Sequence, residues 1–260
     1  MVERNKDLSG VSVRESQWHS QLVDGANITS VTKLCECINN FFASLTAGFT
    51  PLSPSDVSDI HVGIEATPPD LFVTVREAYI TLWEAKVKKV PGPDGIPNIV
   101  LKEFAFELVP LIADMYNTSL REGVVPPSLK HRIVSPLPKQ MPPKSVENNI
   151  RPISLTNQVV KIMEGFTLTR SLPGIYEDLD CKQFAAAGMS TEHAIAYVIH
   201  LVLEGLNCGS CSASFFFADF RKGFDLIDHT ILLSKLHSCN LHPCLVRWIA
   251  AFFEDRSQSV

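Results

Sequence analysis

The sequence predicts an α+β architecture, rich in helices and with few, short strands. Three observations lead there. Apolar residues recur at helical spacing in most segments from Thr74 onward. The most strand-like runs, Arg132 to Leu137 and Ser212 to Phe220, are short, and no fixed-period repeat or low-complexity tract appears. With 260 residues, 45% of them hydrophobic and 20% charged, the chain can bury a core, which excludes disordered and collagen-like classes.

Residues 1–70 mix Ser, Thr, Asp and Pro around one helical stretch, Val31 to Leu45, and read as an irregular extension. A helix is expected from Thr74 to Val90, because Thr74 and Glu77 form a capping-box pattern ahead of Val75, Ala78, Tyr79, Leu82 and Ala85. PGPDGIP (91–97) reads as a rigid turn, with Pro97 suited to the first turn of the next helix. That helix carries Leu101, Phe104 and Leu108 on one face. Pro110 should kink or split it, and Gly123 should end it.

The extended run 132–137 leads to a Pro-rich loop (139–150), RPISL, and a helix from about Asn157 to Thr169. Ser190 caps a further helix through Glu204, with Gly205 placed to stop it. SASFFFADF (212–220) reads as a strand, and Thr230 to Cys239 and Leu245 to Phe253 as helices.

No run of about 18 uncharged apolar residues occurs, the best candidate (Ala194 to Leu203) being short and carrying His200, so no membrane span is expected. The start lacks the apolar core of a signal peptide, and seven cysteines show no disulfide-framework regularity. An intracellular protein, cytoplasmic or nuclear, is the expectation. Cys208 and Cys211, followed by Cys239 and Cys244 with His237 and His242 nearby, have a spacing that can hold zinc; packing explains Cys239 as well. The net charge of −5 hides a pattern: residues 86–170 carry 12 basic and 7 acidic side chains, and acidic stretches flank them. Such a middle third could line a groove for a phosphate backbone, or be an ordinary solvated surface. A Gly-rich phosphate loop of P-loop or Rossmann type is not found in the sequence.

Asp219 follows Phe215-Phe216-Phe217-Ala218, a nearly continuous apolar run of the sort found in strands buried on both faces. A carboxylate at the end of such a strand must be paired, hydrogen-bonded or metal-bound, since isolated burial costs on the order of several kcal/mol. Asp225 and Asp228 follow as the chain turns into helix, where the helix dipole favours acidic groups.

PGPDGIP, then PLPK with RPISL, then QFAAAGMST, then FFADFRKGFDLIDHTIL stand in an order and spacing that resemble reverse transcriptases of non-LTR retrotransposons. The resemblance runs from about Leu82 to the end. It implies that residues 71–260 are a partial reverse transcriptase domain, fingers and the first part of a right-hand palm. It also implies roles for particular side chains. Asp219 would bind catalytic Mg²⁺, with the backbone carbonyl of Phe220 helping to hold a second ion. Phe224 would pack beneath the incoming sugar and exclude a 2′-hydroxyl; a core Phe on the following helix is the plain alternative. Lys139 and Arg151 would sit near the triphosphate, converging only if the Pro-rich connection folds back; otherwise they are two exposed cations on a loop. Lys88 and Lys89 could touch template phosphates, or form a solvated helix face.

Partners implied by the resemblance are an RNA template, a DNA primer and deoxynucleoside triphosphates, with no membrane. QFAAAGMST has Ala185, Ala186 and Ala187 where the family often carries a glycine and a basic residue, which weakens template contact there. The paired-aspartate block that completes the family's metal site does not occur in these 260 residues, so the chain alone is expected to be inactive. The alternative function is a non-catalytic RNA- or protein-binding remnant of a retroelement.

Overall fold

The computed structural model describes Leu22 and residues 30–52, 66–186, 188–209, 212–220 and 222–260. Helices dominate it, and its one sheet is small and mixed, in agreement with the α+β expectation. Residues 1–21, 23–29 and 53–65 lie outside the described residues.

Helix α1 (Val31–Ser44) opens where the Ser30 hydroxyl accepts a hydrogen bond from the Lys33 N–H at 3.3 Å. Its Leu34, Ile38 and Phe42, one helical turn apart, bury against Val134, Val146 and Ile150. After a 3₁₀ turn (Pro69–Leu71), α2 (Val75–Trp83) is capped as expected, with the Glu77 N–H donating to Thr74 Oγ1 at 3.1 Å. It stops seven residues short of Val90. Buried amide side chains take carbonyls beyond it instead: Asn98 Nδ2 donates to Lys86 O at 3.0 Å and Gln158 Nε2 to Val90 O at 2.8 Å.

Helices α3 (Asn98–Glu103) and α4 (Ala105–Glu122) divide at Phe104, not at Pro110. Pro110 lies on the exposed side of α4, where water can take the Phe106 carbonyl that the missing N–H leaves free. Gly123 ends α4 at φ 67°, as the sequence suggests. The last carbonyls are then satisfied from elsewhere in the chain: Arg247 Nη2 donates to Leu120 O (3.1 Å) and Arg121 O (2.6 Å).

Strand β1 (His131–Pro138) pairs antiparallel with β2 (Ile150–Leu155), and a one-turn helix, α5 (Val146–Asn149), sits in the connection. Strand β3 (Ser257–Ser259) adds parallel to the other edge of β1, giving the order β2-β1-β3. β3 has no apolar pattern to betray it; Arg132 Nη2 to Gln258 Oε1 (2.7 Å) and His131 Nδ1 to Ser257 Oγ (2.9 Å) fasten it. Helix α6 (Gln158–Asp178) runs nine residues past the expected end. Its extension is useful: Gly174 lies against the backbone of Asn240, a contact closed to any larger residue.

Helix α7 (Thr191–Asn207) starts at the Ser190 cap and passes through Gly205, ending at Cys208 and Gly209, whose φ is 91°. Asp228 caps α8 (His229–Ser238) through Oδ1, accepting from Thr230 N (2.8 Å) and Ile231 N (3.1 Å), which is the helix-start role expected of it. Helix α9 (Pro243–Phe253) follows.

The main core joins α2, α3, α4, α6 and α9 around Leu82, Tyr116, Leu120, Met163 and Trp248. Most polar groups inside it are matched, Arg247 Nε being a buried exception. Trp248 Nε1 donates to Ser119 Oγ at 2.9 Å, and that hydroxyl donates to Val124 O at 2.6 Å. The Tyr116 hydroxyl meets Thr167 Oγ1 at 3.2 Å, and burial raises its pKa. Arg170 closes the edge of this core. Its guanidinium forms a two-pronged ion pair with Glu77, both contacts 2.9 Å, and donates to Leu71 O (2.6 Å) and Phe72 O (2.9 Å).

One expectation is overturned. Ser212 to Phe220 forms no strand; it is exposed throughout, with Phe216 at 92% and Phe217 at 87%. An apolar run becomes a strand only when a neighbour completes its hydrogen-bond ladder and other elements cover its faces. Among the described residues the sheet ends at β2 and β3, and nothing pairs with this run.

Candidate nucleotide and nucleic-acid site

The hairpin β1–β2 decides where the basic residues go. Leu137 faces Arg151 across the ladder, and two positions further the Lys139 N–H donates to Asn149 O at 2.7 Å. The Pro-rich connection therefore does fold back. Asn149 holds it by accepting at Oδ1 from Lys144 N (3.0 Å) and Ser145 N (3.1 Å), a side chain standing in for a backbone turn. Side-chain alternation puts Arg151 on the same sheet face as Leu137, with Lys139 two residues beyond Leu137. Both cations are exposed.

A second junction unites two sequence blocks about sixty residues apart. In PGPDGIP the Gly95 N–H donates to Gly92 O at 3.0 Å, with Gly95 at φ 67°, and Asp94 Oδ1 accepts from Ile96 N at 3.1 Å. This turn docks on the residues that follow RPISL. Asn157 Oδ1 accepts from Asp94 N (3.3 Å) while its Nδ2 donates to Ser128 O (3.2 Å). Gly92 presses on the backbone of Thr156 so closely that no Cβ fits. Lys88 and Lys89 stand exposed on the turn after α2, not on a helix face. Lys161 lies near enough for its pKa to be lowered, first by burial and then by Lys89.

The FFADFRKGFD block is presented to solvent. Asp219 is exposed, so it is not the buried strand-end carboxylate that the sequence suggests. Phe224 is 97% exposed and precedes α8, which removes the reading of a core phenylalanine on that helix. Phe220 is exposed too. Among the described residues no hydrogen bond or ion pair joins Asp219 to Lys139 or Arg151. No three His, Cys, Asp or Glu side chains come together there as a metal ion would require. Of the suggested zinc ligands, Cys211 lies outside the described residues, Cys244 is fully buried with Sγ 3.5 Å from Thr67 Oγ1, and His242 caps α9 by accepting from Cys244 N at 3.2 Å.

A charged cluster that sequence reasoning missed lies behind this loop. Arg132 of β1 feels Asp225, Arg256 feels Arg132 and Glu164, and His229 feels Arg256. Burial is the leading cause in every case: it lowers both arginines and His229 and raises Glu164. The Arg256 guanidinium lies 4.3 Å over the Phe252 ring, with its buried Nε unpaired, and His229 stacks on Phe253 at 4.4 Å. Cations spread over β1, α8 and the approach to β3 carry no local sequence signal, because only tertiary folding gathers them.

No family model matches the chain. Curated proteins do. An RNA-directed DNA polymerase from the mobile element jockey of Drosophila funebris is 29% identical over 197 residues, 72% of this chain and 21% of the relative. A probable RNA-directed DNA polymerase from transposon BS of Drosophila melanogaster is 27% identical over 188 residues, 71% of this chain and 20% of its own length. One from transposon X-element of the same fly is 27% identical over 151 residues, 57% of this chain and 16% of the relative. The chain thus spans about a fifth of the length of the curated relatives it matches. No helix among the described residues is long and apolar enough to cross a membrane. Over the residues so matched, the chain is similar to RNA-directed DNA polymerases of non-LTR retrotransposons.

Proposed function

We propose that this chain is the fingers and opening part of the palm of an RNA-directed DNA polymerase, the portion that positions a deoxynucleoside triphosphate against an RNA template and a DNA primer. One observation carries the reading. Sequence blocks that resemble the family in order also make structural units: the PGPDGIP turn docks beside RPISL, and the hairpin brings Lys139 and Arg151 to neighbouring exposed positions.

Each residue then has a physical task. Lys139 offers a compact charge and Arg151 a planar fork, suited to triphosphate oxygens as negative charge builds on departing pyrophosphate. Phe224, an exposed ring, suits a surface beneath the incoming sugar, where a 2′-hydroxyl would find no polar partner. Lys88 and Lys89 suit template phosphates. Asp219 and the Phe220 carbonyl would be ligands for Mg²⁺, which in nucleotidyl transfer polarises phosphate oxygens and steadies the attacking and leaving groups. Two ions about 3.5–4 Å apart need several bridging carboxylates. With no neighbouring ligand set among the described residues, Asp219 does not fit such a centre, and the 260 residues by themselves are expected to lack polymerase activity.

Primer extension tests this. With an RNA template, a DNA primer, deoxynucleoside triphosphates and Mg²⁺, the chain alone should give no product. The same chain joined to the remaining polymerase region of the jockey relative should extend the primer, and Asp219→Asn in that fusion should abolish extension. Robust extension by the unfused chain would overturn the inactivity; extension by the fusion that survives Asp219→Asn would overturn the assignment of Asp219.

A further inference from the structure

Helix α2 shows the solvent a surface that the core does not use. Tyr79 (37% exposed) and Trp83 (54%) stand one turn apart with ring centroids 6.1 Å apart and planes within 14°. Arg76 lies at i−7 from Trp83 and so on the same side of the helix. From α3, Lys102 Nζ approaches to 5.3 Å from the Trp83 ring centroid. Immediately beyond Trp83 come Lys86, Lys88 and Lys89, all exposed.

The lysine turn is held in place rather than left to drift. Lys89 N donates to Lys86 O at 3.2 Å, and buried Asn98 and Gln158 grip Lys86 O and Val90 O at the two ends. Residues 74–104 carry five cations (Arg76, Lys86, Lys88, Lys89, Lys102) against four acids, of which Glu77 is taken up by Arg170. Two exposed near-parallel rings between pinned cations match one kind of partner by charge and shape. Single-stranded nucleic acid has both the anionic backbone and the unpaired aromatic faces; duplex hides the bases, and an acidic peptide lacks the repeated rings.

We infer that Tyr79 and Trp83, flanked by Lys86, Lys88, Lys89 and Lys102, form a stacking platform for a single-stranded nucleic acid, with phosphates on the lysines and bases against the rings. The inference rests on the polymerase reading and deepens it, placing an unpaired strand on the outer face of α2.

Fluorescence anisotropy with labelled oligo(U), oligo(dT) and a duplex of equal length tests it on the full 260-residue chain. Both single strands should bind more tightly than the duplex. Trp83→Ala and Tyr79→Ala should each weaken single-strand binding about tenfold, the scale of one lost base–ring stack. Lys88→Ala and Lys89→Ala should each flatten the dependence of log affinity on log salt by about 0.7. Both rings are on the surface, so circular dichroism and the thermal midpoint should not change in the ring variants. Single-strand binding that ignores both ring variants overturns the platform while leaving the fusion's primer extension, and hence the polymerase reading, untouched. No single-strand binding at low salt also overturns it and assigns the face to a protein partner. Loss of extension by the fusion with ring-dependent binding intact would count against the polymerase reading instead.

Discussion

The α4–α6–α9 core and the segment from Thr191 to Asp228 draw on the same amino acids and end in opposite conditions. In the core, Tyr116, Met163, Phe166 and Trp248 are buried, and each polar atom brought in with them finds a partner. In the segment, α7 exposes Ile195, Val198, Ile199, Leu201 and Leu203, has no buried residue, and leads to a run of phenylalanines facing water. Hydrophobicity supplies a tendency to be covered; the covering must come from another element with a matching face. In the core that element is present among the described residues. For α7 and Phe215–Phe220 it is not.

The contrast can be broken by mutation. The largest effect should come from Trp248→Ala, which empties a fully buried site and leaves Ser119 without its donor; a loss of about 4 kcal/mol in urea-induced unfolding is expected. Arg170→Met should cost about 3 kcal/mol by the same measurement, because Glu77 and the carbonyls of Leu71 and Phe72 lose their donor at once. A value near zero for either would mean that the core is not the stabilising region.

His229 sharpens the comparison where the two regions meet. Burial, then the nearby Arg256, holds its imidazole below the ordinary 6.5. Protonation therefore favours the unfolded chain. Stability should fall as pH drops from 6.5 through the lower folded value and level off beneath it. His229→Gln should remove that part of the pH dependence in denaturation series, apart from a constant offset for lost stacking on Phe253. The smallest effects belong to the exposed segment: Phe216→Ala and Phe217→Ala should each change the stability of the isolated chain by less than about 0.5 kcal/mol.

Local chemistry was legible. Thr74 and Ser190 cap helices, Asp228 sits at a helix start, Gly123 terminates a helix, and the 91–97 turn forms, because each feature depends on residues within a few positions. Nonlocal partners were not. The early end of α2 depends on Asn98 and Gln158, and β3 depends on side-chain bonds to Arg132 and His131. The fold-back of the hairpin was seen as a condition for Lys139 and Arg151 to meet, and the β1–β2 register fulfils it. SASFFFADF shows the reverse failure: its composition is that of a strand, but composition cannot say whether a pairing neighbour is at hand.

On the proposed polymerase reading, Phe215–Phe220 becomes a strand once the rest of a polymerase palm is joined to the chain, although it pairs with nothing among the described residues. Amide hydrogen exchange over Phe215–Phe220 tests it directly, comparing the 260-residue chain with the chain fused to the remaining polymerase region of the jockey relative. Rapid exchange in the chain alone and strong protection in the fusion are expected. Strong protection already present in the isolated chain, or none in a fusion that extends primers, would contradict the claim.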